Sequence, residues 1–469
     1  MLLKLLYDTG LAQASWLVGC QATGEAIVID PNRDVDAYVR AARAEGLAIR
    51  HVTETHIHAD FASGSRELAK VTGARLYLSA EGGQDWQYAF AGEAGATLVR
   101  DGDRIVVGNV RLDVMHTPGH TPEHLSFMLT DGSATDRPMG VFSGDFVFVG
   151  DVGRPDLLER AAGLVGTMEA GARQLFASLQ RFKQLPDYLQ IWPGHGAGSA
   201  CGKALGAVPS STLGYERFAN WGLTTATEED FVRIVLAGQP EPPAYFAHMK
   251  RINRDGPPLL GEIPPQAPLD VRRLAEVLRD GAQVVDLRPT RDFAGRHVPG
   301  TLNIPASRSF LTYAGTVLDY AGPAYLLAGD AAAAAEARRD LTLIGLDAVA
   351  GWFGPSALEG ASGRTHQWTP AEAAGRVIAG TATLLDVRGR TEWEDMRVGA
   401  SFHLPMSEIV RRMPEIPAGP LVCMCATGSQ SAVVASVLRA HGRTEVANLA
   451  GGITAWRGAG LPVVSSRSS

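Results

Sequence analysis

Two stretches one hundred residues apart constrain the fold more than anything else in the chain. VVDLRPTRDFAGRHVPGTLNIP begins at Val284 and LLDVRGRTEWEDMRVGASFHLP at Leu384, so Asp286 and Asp386, Arg288 and Arg388, and Pro305 and Pro405 fall in register. A repeat of that period implies two copies of one supersecondary unit rather than a single continuous core. Each copy reads strand, loop, strand, helix, the order of a small α/β domain with a parallel sheet.

At 469 residues the chain has room for a further, larger domain ahead of the repeats. Pro/Gly-rich stretches at 254–268 (RDGPPLLGEIPPQAP) and 354–363 (GPSALEGASG) divide it. The expected domains are 1–255, 266–360 and 366–469. In the first, strand-like runs (AIVIDP, ARLYLSA, GVFSGDFVF, QIWPGHG) mix with helical patterns (DVDAYVRAARAEG, GTMEAGARQLFASLQRFKQL). The fold class expected for the whole chain is therefore α/β and multidomain.

Charge and cysteine usage narrow the function classes. A net charge of −7 with no basic stripe argues against nucleic-acid binding. No segment reaches the roughly 20 uninterrupted apolar residues of a membrane span, and MLLKLLYDTG does not read as a signal peptide. A cytoplasmic protein with no membrane partner is expected. The four cysteines, Cys20, Cys201, Cys423 and Cys425, contain no C-x-x-C pair, so any cysteine that matters should act as a thiol.

The chemistry-bearing residues of the first segment are histidines and aspartates placed just after apolar runs. THIHADF carries His56, His58 and Asp60; HTPGHTPEH carries His116, His120 and His124; VFSGDFVF carries Asp145; and IWPGHG carries His195. Any one alone is more often a core or surface residue. The ordered series H-x-H-x-D, PGHT, SGD, PGH is not, because each motif ends a strand with a turn that projects a donor.

This series resembles the metallo-β-lactamase superfamily, which implies an αβ/βα sandwich over about residues 1–250. In dinuclear members the position of Phe61 is a histidine of the second metal site, and a phenyl ring cannot bind a metal. The mononuclear-iron persulfide dioxygenases resemble the chain most. That resemblance implies one Fe(II) per chain held by His56, His120 and Asp145. Two imidazoles and one carboxylate on one face of an octahedral ion leave three positions open, the arrangement of non-haem Fe(II) oxygenases. A pair of hydrolytic zinc ions would need more ligands than Phe61 permits. His58, Asp60 and His195 are then expected to orient ligands or substrate. Arg154, in GDVGRPDLL, is a candidate receptor for a substrate carboxylate or phosphate. Cys201, six residues after His195, is a candidate sulfur carrier whose thiol Lys203 could acidify.

Near the far end, PLVCMCATGSQSAVVASVLRAHG reads as a strand ending at Cys425, a loop, and a helix. Backbone N–H groups of Ala426, Thr427, Gly428, Ser429, Gln430 and Ser431 would form an anion cradle above a helix N-terminus, with Cys425 as the nucleophile at its base. The loop resembles the rhodanese active-site loop, and NLAGGITAW fits the same family. Gln430 stands where such loops usually carry arginine, and Cys423 shares the strand face of Cys425. The middle copy reads AYLLAGDAAAAAEARRD, which puts Ala328 opposite Cys425, so it resembles a degenerate rhodanese domain lacking the active cysteine.

Together the resemblances imply a persulfide dioxygenase fused to a sulfurtransferase. Such an enzyme converts glutathione or coenzyme A persulfide with O2 to sulfite, and by sulfur transfer to thiosulfate, in sulfide detoxification; assembly as a homo-oligomer is also expected. The alternatives are a thioester hydrolase of the glyoxalase II kind and a non-catalytic sulfur carrier or redox sensor.

Overall fold

The computed structural model describes residues 1–162, 166–199, 201–203 and 205–465. The chain divides into two compact units, Met1–Glu262 with Leu343–Gly345, and Ile263–Thr342 with Leu346–Ser469. Among the described residues no helix is long and apolar enough to cross a membrane.

The first unit is built on two six-stranded sheets. One runs in sequence order through β1 (Leu2–Asp8), β2 (Gln13–Cys20), β3 (Glu25–Ile29), β4 (Ala48–Thr53), β5 (Arg75–Ser79) and β6 (Thr97–Val99). The other contains β7 (Arg104–Val107), β8 (Val110–His116), β9 (Leu125–Asp131), β10 (Gly140–Gly144), β11 (Gln190–Pro193) and β12 (Ser211–Thr212), in reverse order across the sheet.

Strand periodicity explains why both faces of each sheet are covered. In β2 and β3, Trp16, Val18, Ile27 and Ile29 enter the core between the sheets, whereas Leu17, Ala26 and Val28 meet the helices outside. In β10 and β11, Phe142 and Trp192 face inward, and Val141 and Ile191 face the helix Thr167–Phe182 through Leu175 and Leu179. Strands buried on both faces read as continuous apolar runs. The result is a helix–sheet–sheet–helix sandwich. Trp16, Phe142 and Trp192 cluster at its centre with ring centroids 4.8 to 6.0 Å apart.

The second unit holds two parallel sheets. The first has the order β14 (Leu302–Asn303), β13 (Gln283–Asp286), β15 (Ala324–Leu327), β16 (Val349–Phe353). The other has β20 (Phe402–His403), β18 (Thr383–Asp386), β21 (Leu421–Met424), β22 (Val446–Leu449), with β17 (His366–Trp368) added at the edge. A two-stranded ribbon, β19 (Met396–Arg397) with β23 (Val464–Ser465), lies apart from both.

The repeat in the sequence is thus a repeat of topology. Its signature residues make the same bonds in each copy. Arg288 clasps Asp286 through Nε at 2.9 Å and Nη2 at 2.6 Å, and donates to the Arg296 carbonyl. Arg388 clasps Asp386 at the same distances and donates to the Met396 carbonyl. Both aspartates are fully buried, so the pairing satisfies charges that could not otherwise stay inside.

Candidate functional site

The first site begins where β3 ends. Asp30 adopts a left-handed φ of 52°, uncommon for a residue with a Cβ, and its carboxylate accepts the Thr55 backbone N–H at 2.6 Å and the Thr55 hydroxyl at 2.9 Å. With its proton given to Asp30, the Thr55 oxygen accepts from Nδ1 of His56 at 2.9 Å. That chain assigns the His56 proton to Nδ1 and leaves the Nε2 lone pair pointing into the site.

A turn between β8 and β9 brings His120. Gly119 holds φ 141°, and a Cβ there would fall 2.4 Å from Cα of Leu175, so the close approach of the turn to the helix needs glycine. Asp145 follows β10. Its backbone N–H donates to Nε2 of His124 at 3.1 Å, while Nδ1 of His124 meets the Thr117 hydroxyl at 2.9 Å.

The donor atoms of His56, His120 and Asp145 lie within 4.8 Å of one another, and the residues are at most 3% exposed. Oδ2 of Asp145 is 3.5 Å from Nε2 of His120 and 3.9 Å from Nε2 of His56. Burial holds His56 well below the usual imidazole range and His120 at about 3, so both are neutral donors. It also raises Asp145 to about 6. Among the described residues no N–H or O–H donates to either carboxylate oxygen of Asp145, and the Cys201 thiol lies beside it. Two neutral imidazoles around a desolvated carboxylate with open valences suit a cation.

His58 does different work. Burial opposes its charge, but the Asp30 carboxylate 3.2 Å from Nε2, together with Glu54 and Asp60, outweighs this and raises it to about 9. Its Nε2 faces Asp30, and among the described residues His58 is not one of the three donors that cluster within 4.8 Å. Phe61 is fully buried with its ring 4.3 Å from that of His58.

His195 reaches the cluster from the end of β11. Its Nδ1 meets the Ala12 carbonyl at 3.0 Å, and its Nε2 lies 3.2 Å from Asp60 and 3.4 Å from Asp145. Asp60, His195 and Cys201 form a second group with donor atoms within 4.8 Å.

In the second unit Cys425 follows β21 and is 2% exposed. The Gly428 N–H and the Ser431 hydroxyl point at its sulfur, at 3.1 and 3.3 Å. Gly428 holds φ 94° immediately ahead of the helix Ser429–Ala440. Asn448, in β22, braces the loop from behind. It accepts from Ser431 at 2.7 Å and donates to the Gly428 carbonyl at 3.0 Å and to Gln367 at 2.9 Å. Thr427 and Ser429 face each other at 3.2 Å on the exposed side, with Ala426 and Gln430 half-buried.

The pairing of β15 with β13 and of β21 with β18 places Ala328 at the step that Cys425 occupies. There Asp330 accepts the Ala333 N–H at 2.8 Å, so a carboxylate of the chain itself fills the helix N-terminus that an anion would use.

Comparison with known proteins agrees with this geometry. The model of the metallo-beta-lactamase superfamily matches residues 8–195, and that of the rhodanese-like domain matches 369–459. A solved metallo-beta-lactamase from Staphylococcus aureus subsp. aureus COL is 47% identical, with a TM-score of 0.69, covering 76% of this chain and 99% of that one. The chain belongs to the metallo-β-lactamase superfamily. It carries a rhodanese-like domain at its C-terminal end.

Among curated proteins, the hydroxyacylglutathione hydrolase of Rhodospirillum rubrum is 31% identical over 185 residues, 38% of this chain. The match spans only 60% of that relative's length. The persulfide dioxygenase ETHE1, mitochondrial, of Bos taurus is 27% identical over 240 residues, half of this chain and 80% of that one.

Two expectations from the sequence need correction. Arg154 is fully buried, and its guanidinium is bidentate on Asp156 at 3.0 and 2.9 Å and donates to the Pro240 carbonyl at 2.6 Å. Those donors are turned into the protein, because a buried guanidinium needs a fixed partner. Lys203 does not acidify Cys201: its ammonium donates to the Ala237 carbonyl at 2.7 Å, while burial and the Asp60 and Asp145 carboxylates push the thiol well up. Burial likewise raises Cys423, which is fully enclosed in β21.

Sequence reasoning also missed residues that build the site. Asp30 ends the apolar run AIVID, the same device that marked Asp145, and could have been found that way. Asn253 had no such signal. From the helix Phe246–Asp255 it donates to the carbonyls of His58 and Phe61 at 2.8 and 2.7 Å and accepts the Ser63 N–H at 2.9 Å, clamping the loop that carries the histidines.

Proposed function

We propose that this protein is a persulfide dioxygenase with an attached sulfurtransferase, and the observation that carries the proposal is the two-imidazole, one-carboxylate cluster of His56, His120 and Asp145. The donors fit Fe(II), one per chain: both imidazoles are neutral, and among the described residues no N–H or O–H occupies the Asp145 oxygens. Iron held there would supply the redox chemistry that joins O2 to sulfur. The overall change is R-S-SH + O2 + H2O giving R-SH, sulfite and two protons.

The chain's own residues prepare that chemistry. Thr55 and Asp30 fix the His56 tautomer, and His124 seats the Asp145 backbone. At the other centre, Cys425 as a persulfide would give its outer sulfur to sulfite. The S–S bond breaks, a new S–S bond forms in thiosulfate, and the electron pair returns to the Cys425 thiolate, which the Gly428 N–H is placed to stabilise. The similarity to the Bos taurus persulfide dioxygenase supports this reading.

A thioester hydrolase is the second reading, favoured by the 31% identity to hydroxyacylglutathione hydrolase. O2 uptake by the iron-loaded chain, on adding glutathione persulfide and then coenzyme A persulfide, decides between them when sulfite and thiosulfate are quantified together. Uptake matched by sulfite plus thiosulfate is the expected result. Absence of uptake with both persulfides, or turnover of a glutathione thioester under anaerobic conditions, would overturn the dioxygenase.

A further inference from the structure

The turn 118–124, PGHTPEH, carries His120 and reaches towards both of the other donors. At its end, Nε2 of His124 accepts the Asp145 backbone N–H at 3.1 Å. One residue earlier, Glu123 reaches the opposite way. Its Oε1 accepts the N–H of Ile57, the peptide link that leaves His56, at 2.9 Å. On the near side of His56, the Leu125 N–H donates to the Thr55 carbonyl at 2.7 Å. His56 follows a strand of one sheet and the turn joins two strands of the other, so this pair of bonds crosses between the sheets.

Glu123 is built into place. Its side chain is fully buried. Gly82, at φ 87°, lies against it, where a Cβ would stand 2.8 Å from Cβ of Glu123 and 2.9 Å from its backbone nitrogen, so that approach needs glycine. From the helix Phe246–Asp255, the Lys250 ammonium offsets the charge of Glu123. One turn further on, Asn253 holds the carbonyls of His58 and Phe61. Both ends of the segment 57–61 are therefore pinned from outside, by a carboxyl group at one and an amide at the other.

We infer that Glu123 is a positioning residue of the metal cluster, which fixes the peptide after His56 and thereby sets the place of that imidazole against His120. The Thr55 hydroxyl and Asp30 choose the His56 tautomer, but they follow strands of the same sheet as His56 and cannot register the ring against a donor that comes from the other. The two rings stand 5.0 Å apart at 88°, and their donors must converge on one ion to hold it. Loss of the Glu123 acceptor would leave a buried N–H unpaired, and the loop would shift to satisfy it. Reach, not charge, is what the bond requires: glutamine has it, and aspartate is one methylene short.

The inference rests on the reading of His56, His120 and Asp145 as a metal site, and adds to it a residue that acts through the backbone of the histidine loop.

Metal affinity tests it without turnover. The full chain, stripped with a chelator and kept anaerobic, is titrated with Co2+ against a competing chelator and followed in the visible. Glu123→Ala and Glu123→Asp should each weaken the tightest-bound cobalt about 10- to 100-fold and shift its visible bands, whereas Glu123→Gln should match the wild type in both. Ile105→Ala, a cavity behind the edge strand β7, lowers stability by another route and should leave affinity and bands unchanged. Wild-type affinity in Glu123→Asp, a Glu123→Gln chain as weak as Glu123→Ala, or the same loss in Ile105→Ala would each overturn the inference. If Glu123→Ala does not fold, the comparison of Glu123→Asp with Glu123→Gln decides. A wild type that binds no cobalt would overturn the metal cluster and the inference with it. The O2-uptake assay can fail while this order of affinities holds, so the dioxygenase and the role of Glu123 fall separately.

Discussion

The Thr55 hydroxyl stands 2.9 Å from Nδ1 of His56 and 2.9 Å from Oδ2 of Asp30. A single oxygen thus transmits the acceptor character of a carboxylate at the end of one strand to the imidazole that faces the metal cluster. Thr55→Val keeps the shape and removes the relay. Loss of an outer partner of this kind typically lowers metal affinity about 10- to 100-fold. Thr55→Ser should retain it. Competition with a chelator of known affinity measures the difference, and an unchanged Thr55→Val affinity would show that the tautomer is set by something else.

Cys425 and the His56 cluster are chemically distinct centres, so their losses should separate. Cys425→Ser should leave O2 consumption with a free low-molecular-weight persulfide largely intact while reducing transfer of sulfur to sulfite to background, since the nucleophile is gone. Thiosulfate and O2 followed in one reaction provide the check. Equal loss of both activities would mean that the division of labour is wrong.

Asn253 gives the histidine loop its shape. Asn253→Ala would leave two buried carbonyls, of His58 and Phe61, and the Ser63 N–H without their partner. Each orphaned buried group costs about 1–3 kcal/mol, partly relieved by relaxation, so a loss of about 3 kcal/mol is expected in urea denaturation. A change below about 0.5 kcal/mol would show that the loop holds itself.

The architecture was legible where chemistry and local geometry coincide in sequence. The one-hundred-residue repeat corresponds to two parallel sheets of like order, and the same Asp–Arg clasp appears in both because it satisfies the same buried strand end. The order of PGHT, SGD and PGH carried the family resemblance that implies the sandwich, and each motif does follow the end of a strand. What stayed hidden was what burial and distant segments decide. Arg154 reads as an anion receptor until Asp156, two residues on, is seen to face it inside the protein. Cys201 reads as activated by Lys203 until burial reverses the sign. Asn253, about 190 residues from its partners, has no local pattern at all.

Lys250 offers a test through pH. Its ammonium lies 3.5 Å from the centroid of the Trp86 ring, buried and, among the described residues, without a hydrogen-bond partner. Burial depresses it from 10.5 to about 7, and the Glu123 carboxylate only partly opposes this. Between those two values the unfolded chain holds a proton that the folded chain lacks. Stability attributable to this group must therefore rise with pH across the window, and the penalty is largest below about 7, where both states are protonated. The rise should approach about 1.4 kcal/mol per pH unit for a single proton. Lys250→Met fills the space under Trp86 without titrating, so the wild-type stability minus that of the variant should climb from neutral to alkaline pH. Taking the difference removes the other titrating groups apart from Glu123, whose carboxyl is raised by burial and would be raised further once the Lys250 cation is gone. Urea denaturation of both chains at matched pH values supplies the measurement. A flat difference would mean that Lys250 keeps its proton in the folded chain, held by Trp86 and Glu123 more strongly than burial opposes.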